Sequence, residues 1–115
     1  MHGAEFGETW IAAWNAHDLE AILALYTDDI VFLSPASTRI TGDPSGRVVG
    51  KQALRDYWRQ ALALSPDLRF TLKSVFEGVD GVALRYHSTR TGREVVEVHR
   101  LDAEGLVCEA AAYYE

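Results

Sequence analysis

The stretch "REVVEVHRLDAEGLVCEAAAYY", residues 93–114, decides the fold of this 115-residue chain. Its side chains alternate with a period of two, the spacing of a strand. "DAEG" at 102–105 is turn chemistry between two such runs. Strands joined so tightly pair antiparallel. On the first strand Val95, Glu97, His99 and Leu101 share one face, and Glu94, Val96, Val98 and Arg100 share the other. A core-facing strand has no place for a glutamate without a partner. A solvent-facing strand has no need of Val95 and Leu101. An acid and an imidazole between apolar residues read as the wall of a pocket.

The same alternation extends towards the N-terminus. It predicts four antiparallel strands over 68–77, 82–90, 93–101 and 106–114, joined by "GVDG" (78–81), "RTGR" (90–93) and "DAEG". Before residue 68 the period is helical. Residues 5–16 place Phe6, Trp10 and Trp14 on one stripe at i, i+4 and i+8. "NAHD" (15–18) breaks that helix, and Asp18 is a suitable N-cap for a second, "LEAILALY" (19–26), with Leu19, Ile22, Leu23 and Tyr26 on its face and "TDD" at its end. "IVFLSP" (30–35) is a short strand stopped by Pro35. Residues 36–49 form a long connection around "TGDPSG", with short edge strands expected at "TRI" and "RVV"; its length suits a lid. "GKQALRDYWRQALAL" (50–64) is the third helix, with Leu54, Tyr57, Trp58, Ala61 and Leu62 apolar at helical spacing. Helices segregated from an antiparallel sheet make an α+β fold. A sheet this large must curl around the long helix into a cone, and an open cone leaves a pocket.

Composition narrows the function. The length suits one domain, residues 1–115. A formal net charge of -6 with eleven scattered basic residues lacks the basic face that nucleic acid requires. Cys108 is the sole cysteine, so no intrachain disulfide is expected, and without a basic neighbour it is a poor nucleophile. "MHGAEFGETW" does not read as a signal peptide, and "IVFL" is too short to span a bilayer; the expected location is the cytoplasm. His2, His17, His87 and His99 match no metal-ligand spacing, and no glycine-rich loop runs from a strand into a helix, so neither a metal nor a nucleotide cofactor is expected.

"WIAAWNAHDLEAILALYTDDIVF", "GRVVGKQALRDYW" and "EVHRLDAEGLVCEAAAYY" resemble the SnoaL-like and ketosteroid-isomerase-like proteins, in order and over nearly the whole chain. The resemblance implies the cone fold of the nuclear transport factor 2-like superfamily, an α+β roll of a curved antiparallel sheet wrapped on three helices. Superfamily members include isomerases, polyketide cyclases, dehydratases, epoxide hydrolases and non-catalytic proteins. Ketosteroid isomerase combines an Asp base with an oxyanion hole of a Tyr and a protonated Asp. By the resemblance the Tyr falls at Trp10, the base at Ser34, and the protonated acid at or beside Glu97. Only the last keeps a carboxyl group, since Trp10 cannot titrate and serine is no base at neutral pH. The Asp-Arg-Asp set of the epoxide hydrolases is not recognisable. The cyclases, as the family is understood, use one acid and shape complementarity.

Glu97 and His99, with Cα atoms roughly 6.5 Å apart, are the candidate catalytic pair. A carboxyl in an apolar wall can take or give a proton, and His99 could shuttle or orient it. The alternative is a satisfied polar spot in the sheet, Glu97 pairing with His99, Arg85 or Arg47. Candidate ligand contacts are Trp10, Trp14, Ser34, Trp58, Tyr86 and Tyr114. Trp14 and Trp58 could flank a planar ligand, and the alternative for the tryptophans is core packing. Cys108, Ala110, Ala112 and Tyr114 share a face, and the small ones leave volume for a cavity. Val96 and Val98, with Val75 nearby, form an outer apolar patch that predicts a homodimer. Two functions stay open: acid–base chemistry on a hydrophobic carbonyl substrate, or non-catalytic ligand binding and scaffolding.

Overall fold

The structure is a computed structural model that describes residues 2–115. The elements run α1 (Gly3–Asn15), α2 (Leu19–Leu23), β1 (Tyr26–Leu33), α3 (Pro35–Thr41), β2 (Arg47–Val49), α4 (Lys51–Leu64), β3 (Phe70–Glu77), β4 (Gly81–Ser88), β5 (Arg93–Leu101) and β6 (Val107–Tyr114). One mixed sheet has the order β2-β1-β6-β5-β4-β3. The run from β3 to β6 is antiparallel, as the turns predict. β1 closes beside β6 in parallel and takes β2 as an antiparallel edge. The helices pack on one face of this curved sheet, in the α+β arrangement expected.

Two local readings change. Tyr26 leaves the second helix and opens β1, opposite Val107. α2 ends at Leu23, and the Leu25 carbonyl accepts from Val107 N–H at 2.8 Å. Pairing with β6 thus outweighs a helical spacing that a β-rich "YTDDIVF" satisfies only by coincidence. The connection at 36–49 holds a short helix as well as a strand. "TRI" lies in α3, whereas "RVV" is the edge strand β2. Ser34 caps α3, its Oγ accepting from Ala36 N–H at 3.2 Å, with Pro35 in the first turn and Gly42 in the left-handed C-terminal position.

The helical layer is fastened at the start of β3. Asn15 at the end of α1 behaves like a strand neighbour: its Nδ2 donates to Phe70 O at 2.9 Å and its Oδ1 accepts from Phe70 N–H at 2.7 Å. His17 Nε2 donates to Leu68 O at 2.7 Å. Gly7 brings α1 close to the sheet, because a Cβ there would press on Leu72, Val75 and Leu84 at 3.1–3.3 Å. Val75 therefore faces the helices and not the outer surface. The outer face instead carries a row of paired positions across five strands: Leu33, Ala111, Val98, Ala83 and Phe76. Val96 and Tyr113 form a second exposed pair beside it. Among the described residues no helix is long and apolar enough to cross a membrane.

Gly46 seals the loop behind Ser34. Its carbonyl accepts from Ser34 N–H at 3.0 Å and from Ser37 Oγ at 2.6 Å, at φ +67°. A Cβ at this position would lie 2.6 Å from the Ser34 carbonyl oxygen, whereas one at Gly42 (φ +79°) would meet nothing within 4 Å. Gly42→Ala is expected to cost about 1 kcal/mol, the left-handed penalty alone. Gly46→Ala is expected to cost about 2–4 kcal/mol from strain plus overlap. Urea unfolding of the two variants checks the difference.

Candidate functional site

The inner face of β5 carries Val95, Glu97 and His99, all buried. Directly opposite Glu97 stand Leu84 on β4 and Ala112 on β6; opposite His99 stand Val82 and Ala110. Against the sequence expectation, the two alanines leave no cavity over themselves: both are packed in the core, and neither lines the cavity that opens above Glu97. Tyr86 sits diagonally from Glu97, within reach of a long side chain. Its hydroxyl donates to Glu97 Oε1 at 3.0 Å, and His99 Nε2 bonds Oε2 at 3.0 Å. Glu97 is 3% exposed and His99 0%. The arrangement that satisfies most atoms has Nε2–H donating to the carboxylate. Nδ1, which has no partner among the described residues, is then a bare acceptor beside Phe6 and Trp10, whose rings meet the imidazole at 5.1 and 5.4 Å. Arg85 pairs instead with Glu94 on the outer face, and Arg47 is exposed on β2, so neither serves Glu97.

A cavity of about 310 Å³ opens above Glu97. Trp10, Trp14, Phe32, Tyr57, Trp58, Phe70, Tyr86 and Tyr114 supply its aromatic walls. Glu97 is the one carboxylate among the lining residues, and the only other charged groups there are Arg39 and Arg90. Glu97, Trp10, Trp14, Trp58, Tyr86 and Tyr114 all line this cavity. His99 does not reach it and lies behind Glu97. Ser34 is also off the wall: it is 3% exposed, caps α3, and touches the lining through Tyr114 OH at 3.1 Å. Trp10 Nε1 is occupied, donating to Tyr26 OH at 2.9 Å. Trp14 and Trp58 meet edge to face with centroids 4.9 Å apart. Flanking a ring would need parallel faces about 7 Å apart, twice the carbon contact distance, so these two do not form a slot.

Cys108 also moves from its expected place. A bulge between Arg100 and Leu101 puts Val107 inside, and Cys108 is half-buried with its Sγ 3.6 Å from Arg100 O. Ala110, Ala112 and Tyr114 keep the inner face. Sequence reasoning missed Arg39, Arg90 and Tyr57 as lining residues. Tyr57 was visible as a core position of α4, Arg39 was hidden by the strand reading of "TRI", and Arg90 by its place in a turn. Among the described residues no cluster of three or more His, Cys, Asp or Glu is placed to hold a metal ion.

Burial raises Tyr26 and Tyr86 well above the ordinary tyrosine value of 10.0, and the nearby charge of Glu97 adds to it. Burial also raises Tyr57 and Tyr114. For Tyr114 the Ser34 hydrogen bond offsets part of the rise. All four phenols therefore keep their protons: Tyr86 donates to Glu97, while Tyr57 and Tyr114 line the cavity as neutral hydroxyls able to donate to an oxyanion there.

The SnoaL-like domain model matches residues 8–110. A SnoaL-like protein of unknown function from Burkholderia thailandensis is 42% identical, with a TM-score of 0.94 over 98% of this chain and 93% of that one. IdmH from Streptomyces antibioticus, described as a candidate polyketide cyclase, is 20% identical, with a TM-score of 0.80 over 100% of this chain and 93% of that one. A candidate isomerase of the SnoaL-like family from Agrobacterium tumefaciens is 16% identical, with a TM-score of 0.77 over 98% and 97% of the two chains. The last two likenesses show the fold alone. No curated protein matches. The chain belongs to the SnoaL-like family.

The raised tyrosines set an alkaline limit on stability. Their stabilising effect is complete below pH 10.0, the value in the unfolded chain, because both states then hold the phenolic protons. Above it the unfolded chain releases protons that the folded chain keeps, so stability falls as pH rises towards the folded values. Tyr26 and Tyr86 are expected to show no tyrosinate absorbance until the chain unfolds, which an ultraviolet pH titration beside circular dichroism checks.

Proposed function

We propose that this member of the SnoaL-like family is an isomerase- or cyclase-type enzyme that moves a proton at the carbon beside a carbonyl, in a small hydrophobic substrate. The observation that carries this reading is Glu97: a single carboxylate lining an aromatic cavity, 3% exposed, with one oxygen hydrogen-bonded by Tyr86 and the other by His99. A carboxylate has about four lone-pair sites; Tyr86 and His99 use one on each oxygen, leaving acceptor capacity for a substrate proton. Glu97 takes the α-proton, the C–H electron pair moves into the carbon–carbon bond, and the carbonyl oxygen becomes an enolate oxyanion. Tyr57 or Tyr114 donates to that oxygen. An isomerase returns the proton to another carbon. In a cyclase the α-carbon instead bonds to a second carbonyl carbon, whose oxygen takes the proton from Glu97. His99 is a positioning residue that fixes the carboxylate rotamer, and Trp10, Trp14, Trp58, Tyr86 and Tyr114 exclude water.

The test is hydrogen–deuterium exchange at the α-carbons of 2-tetralone in heavy water, followed by proton NMR. Wild type is expected to accelerate exchange, and Glu97→Gln to lose about 10²- to 10⁴-fold of that acceleration, the usual contribution of a general base. Equal exchange in both proteins removes Glu97 from the chemistry.

The exposed row of Leu33, Val98 and Phe76 on the outer face favours a homodimer formed through the sheet. A pairing of this kind also serves the alternative reading, a ligand-binding scaffold without turnover. Sedimentation equilibrium at micromolar concentration is expected to give twice the chain mass for wild type and the chain mass for Val98→Glu. A monomeric wild type removes the dimer from either reading.

A further inference from the structure

We propose that the substrate carries an anionic group, a carboxylate or similar oxyanion, at the end opposite its reacting carbonyl, and that Arg39 and Arg90 read this group at the mouth of the cavity. The inference rests on the cavity being the substrate site, and it adds the substrate class.

The two arginines come from different elements, Arg39 from α3 and Arg90 from the turn between β4 and β5, yet both line the one cavity. Both are exposed, whereas Glu97 is buried, so the cavity has a negative floor and a positive rim. The chain has 17 acidic against 11 basic residues. Outside the cavity, and among the described residues, Arg55, Arg59, Arg85 and Arg100 pair with acids, whereas Arg47, Arg69 and Arg93 do not, so it is the place of Arg39 and Arg90 on the cavity lining that sets them apart. Arg55 grips both oxygens of Glu20 at 2.9 and 3.0 Å, Arg85 meets Glu94 at 3.3 Å, and Arg100 meets Glu109 at 3.2 Å. Among the described residues, Arg39 and Arg90 have no carboxylate within 4.0 Å. Arg90 lies over the Tyr114 ring at 5.5 Å, which holds the guanidinium at the rim. Its charge and that of Glu97 act in opposite senses on both Tyr57 and Tyr114, so the rim and the floor are near enough for one ligand to feel both.

This polarity orients a ligand. An anion at the floor would face the Glu97 carboxylate, which repels it; the same anion at the rim gains charge-assisted hydrogen bonds from the arginines. A carbonyl end therefore enters first. Size limits the body. A cavity of about 150 Å³ takes one benzene ring, so one of about 310 Å³ takes a planar bicycle, with the anionic substituent projecting to the mouth.

Chromone and chromone-7-carboxylate differ by this group alone, with the carboxylate on the ring remote from the carbonyl, and their binding can be followed by quenching of Trp10, Trp14 and Trp58, all of which line the cavity. Wild type is expected to favour the carboxylate by about tenfold, with the preference shrinking in about 0.5 M salt. In the double variant Arg39→Gln/Arg90→Gln the ratio is expected to fall to about one, and in Arg90→Lys to recover part of the way. Both positions are exposed, so the variants are expected to fold, which circular dichroism verifies. A wild-type ratio near one, a preference that survives in the double variant, or no binding of either probe overturns the proposal. Wild-type exchange of 2-tetralone separates the two readings. Exchange without anion preference leaves the acid–base function standing and removes this inference. Anion preference that depends on the arginines, without exchange, removes the acid–base function and leaves Arg39 and Arg90 as the readers of an anionic ligand in a binding cavity.

Discussion

A carboxylate taken out of water costs several kcal/mol unless its oxygens find partners, and Glu97 is buried in the middle of the sheet. Much of the inner architecture follows from keeping it there. The strand phase that puts Val95 and His99 in the interior forces Glu97 inside with them. Tyr86 must then be long enough to reach diagonally across the β4–β5 ladder, and it must remain protonated to donate. The buried, apolar setting that makes the carboxylate costly is also what keeps the phenol neutral. His99 answers the second oxygen, leaving Nδ1 unpaired against Phe6 and Trp10. Buried polar atoms left partly satisfied are uncommon, and this one marks where the structure gives up packing comfort to hold an acid.

The helices depend on that wall in a different way. α1 contributes the rings that cover His99, and Gly7 lets it come close enough to do so. Asn15 and His17 then bind the end of α1 and the following turn to Leu68 and Phe70, so the aromatic floor and the sheet cannot slide apart. On the other side α3 is held by Ser34, which caps the helix and touches Tyr114. Ser34 is thus a structural cap, and the buried carboxylate of this wall lies on β5.

Much of this was legible in the sequence, for physical reasons that also explain the failures. The four C-terminal strands and the partnership of Glu97 with His99 follow from strict period two, because alternation assigns every side chain to a face. α1 and α4 follow from aromatic spacing at helical period. Tyr26 failed because a helical spacing of four residues can arise by chance in a strand that pairs with a distant partner. α3 escapes although its signals are present: Ser34, Pro35 and Gly42 are cap, first-turn proline and left-handed stop, but a proline after a strand reads first as a terminator. The cavity rim was invisible for a deeper reason. Arg39 and Arg90 are 51 residues apart in the chain by their numbering, and nothing local tells a rim arginine from a solvated one. The bulge that turned Cys108 out of the face leaves no residue-level mark either.

β5 divides two tasks by its pleat. Glu97 and His99 serve the interior, while Val96 and Val98 on the same strand face outward at 37% and 44% exposure. A partner covering the outer face would stiffen the strand that carries the acid without touching the cavity. The outer row and the inner acid thus share one backbone, and a one-residue slip of β5 would exchange them, putting the valines inside and Glu97 outside.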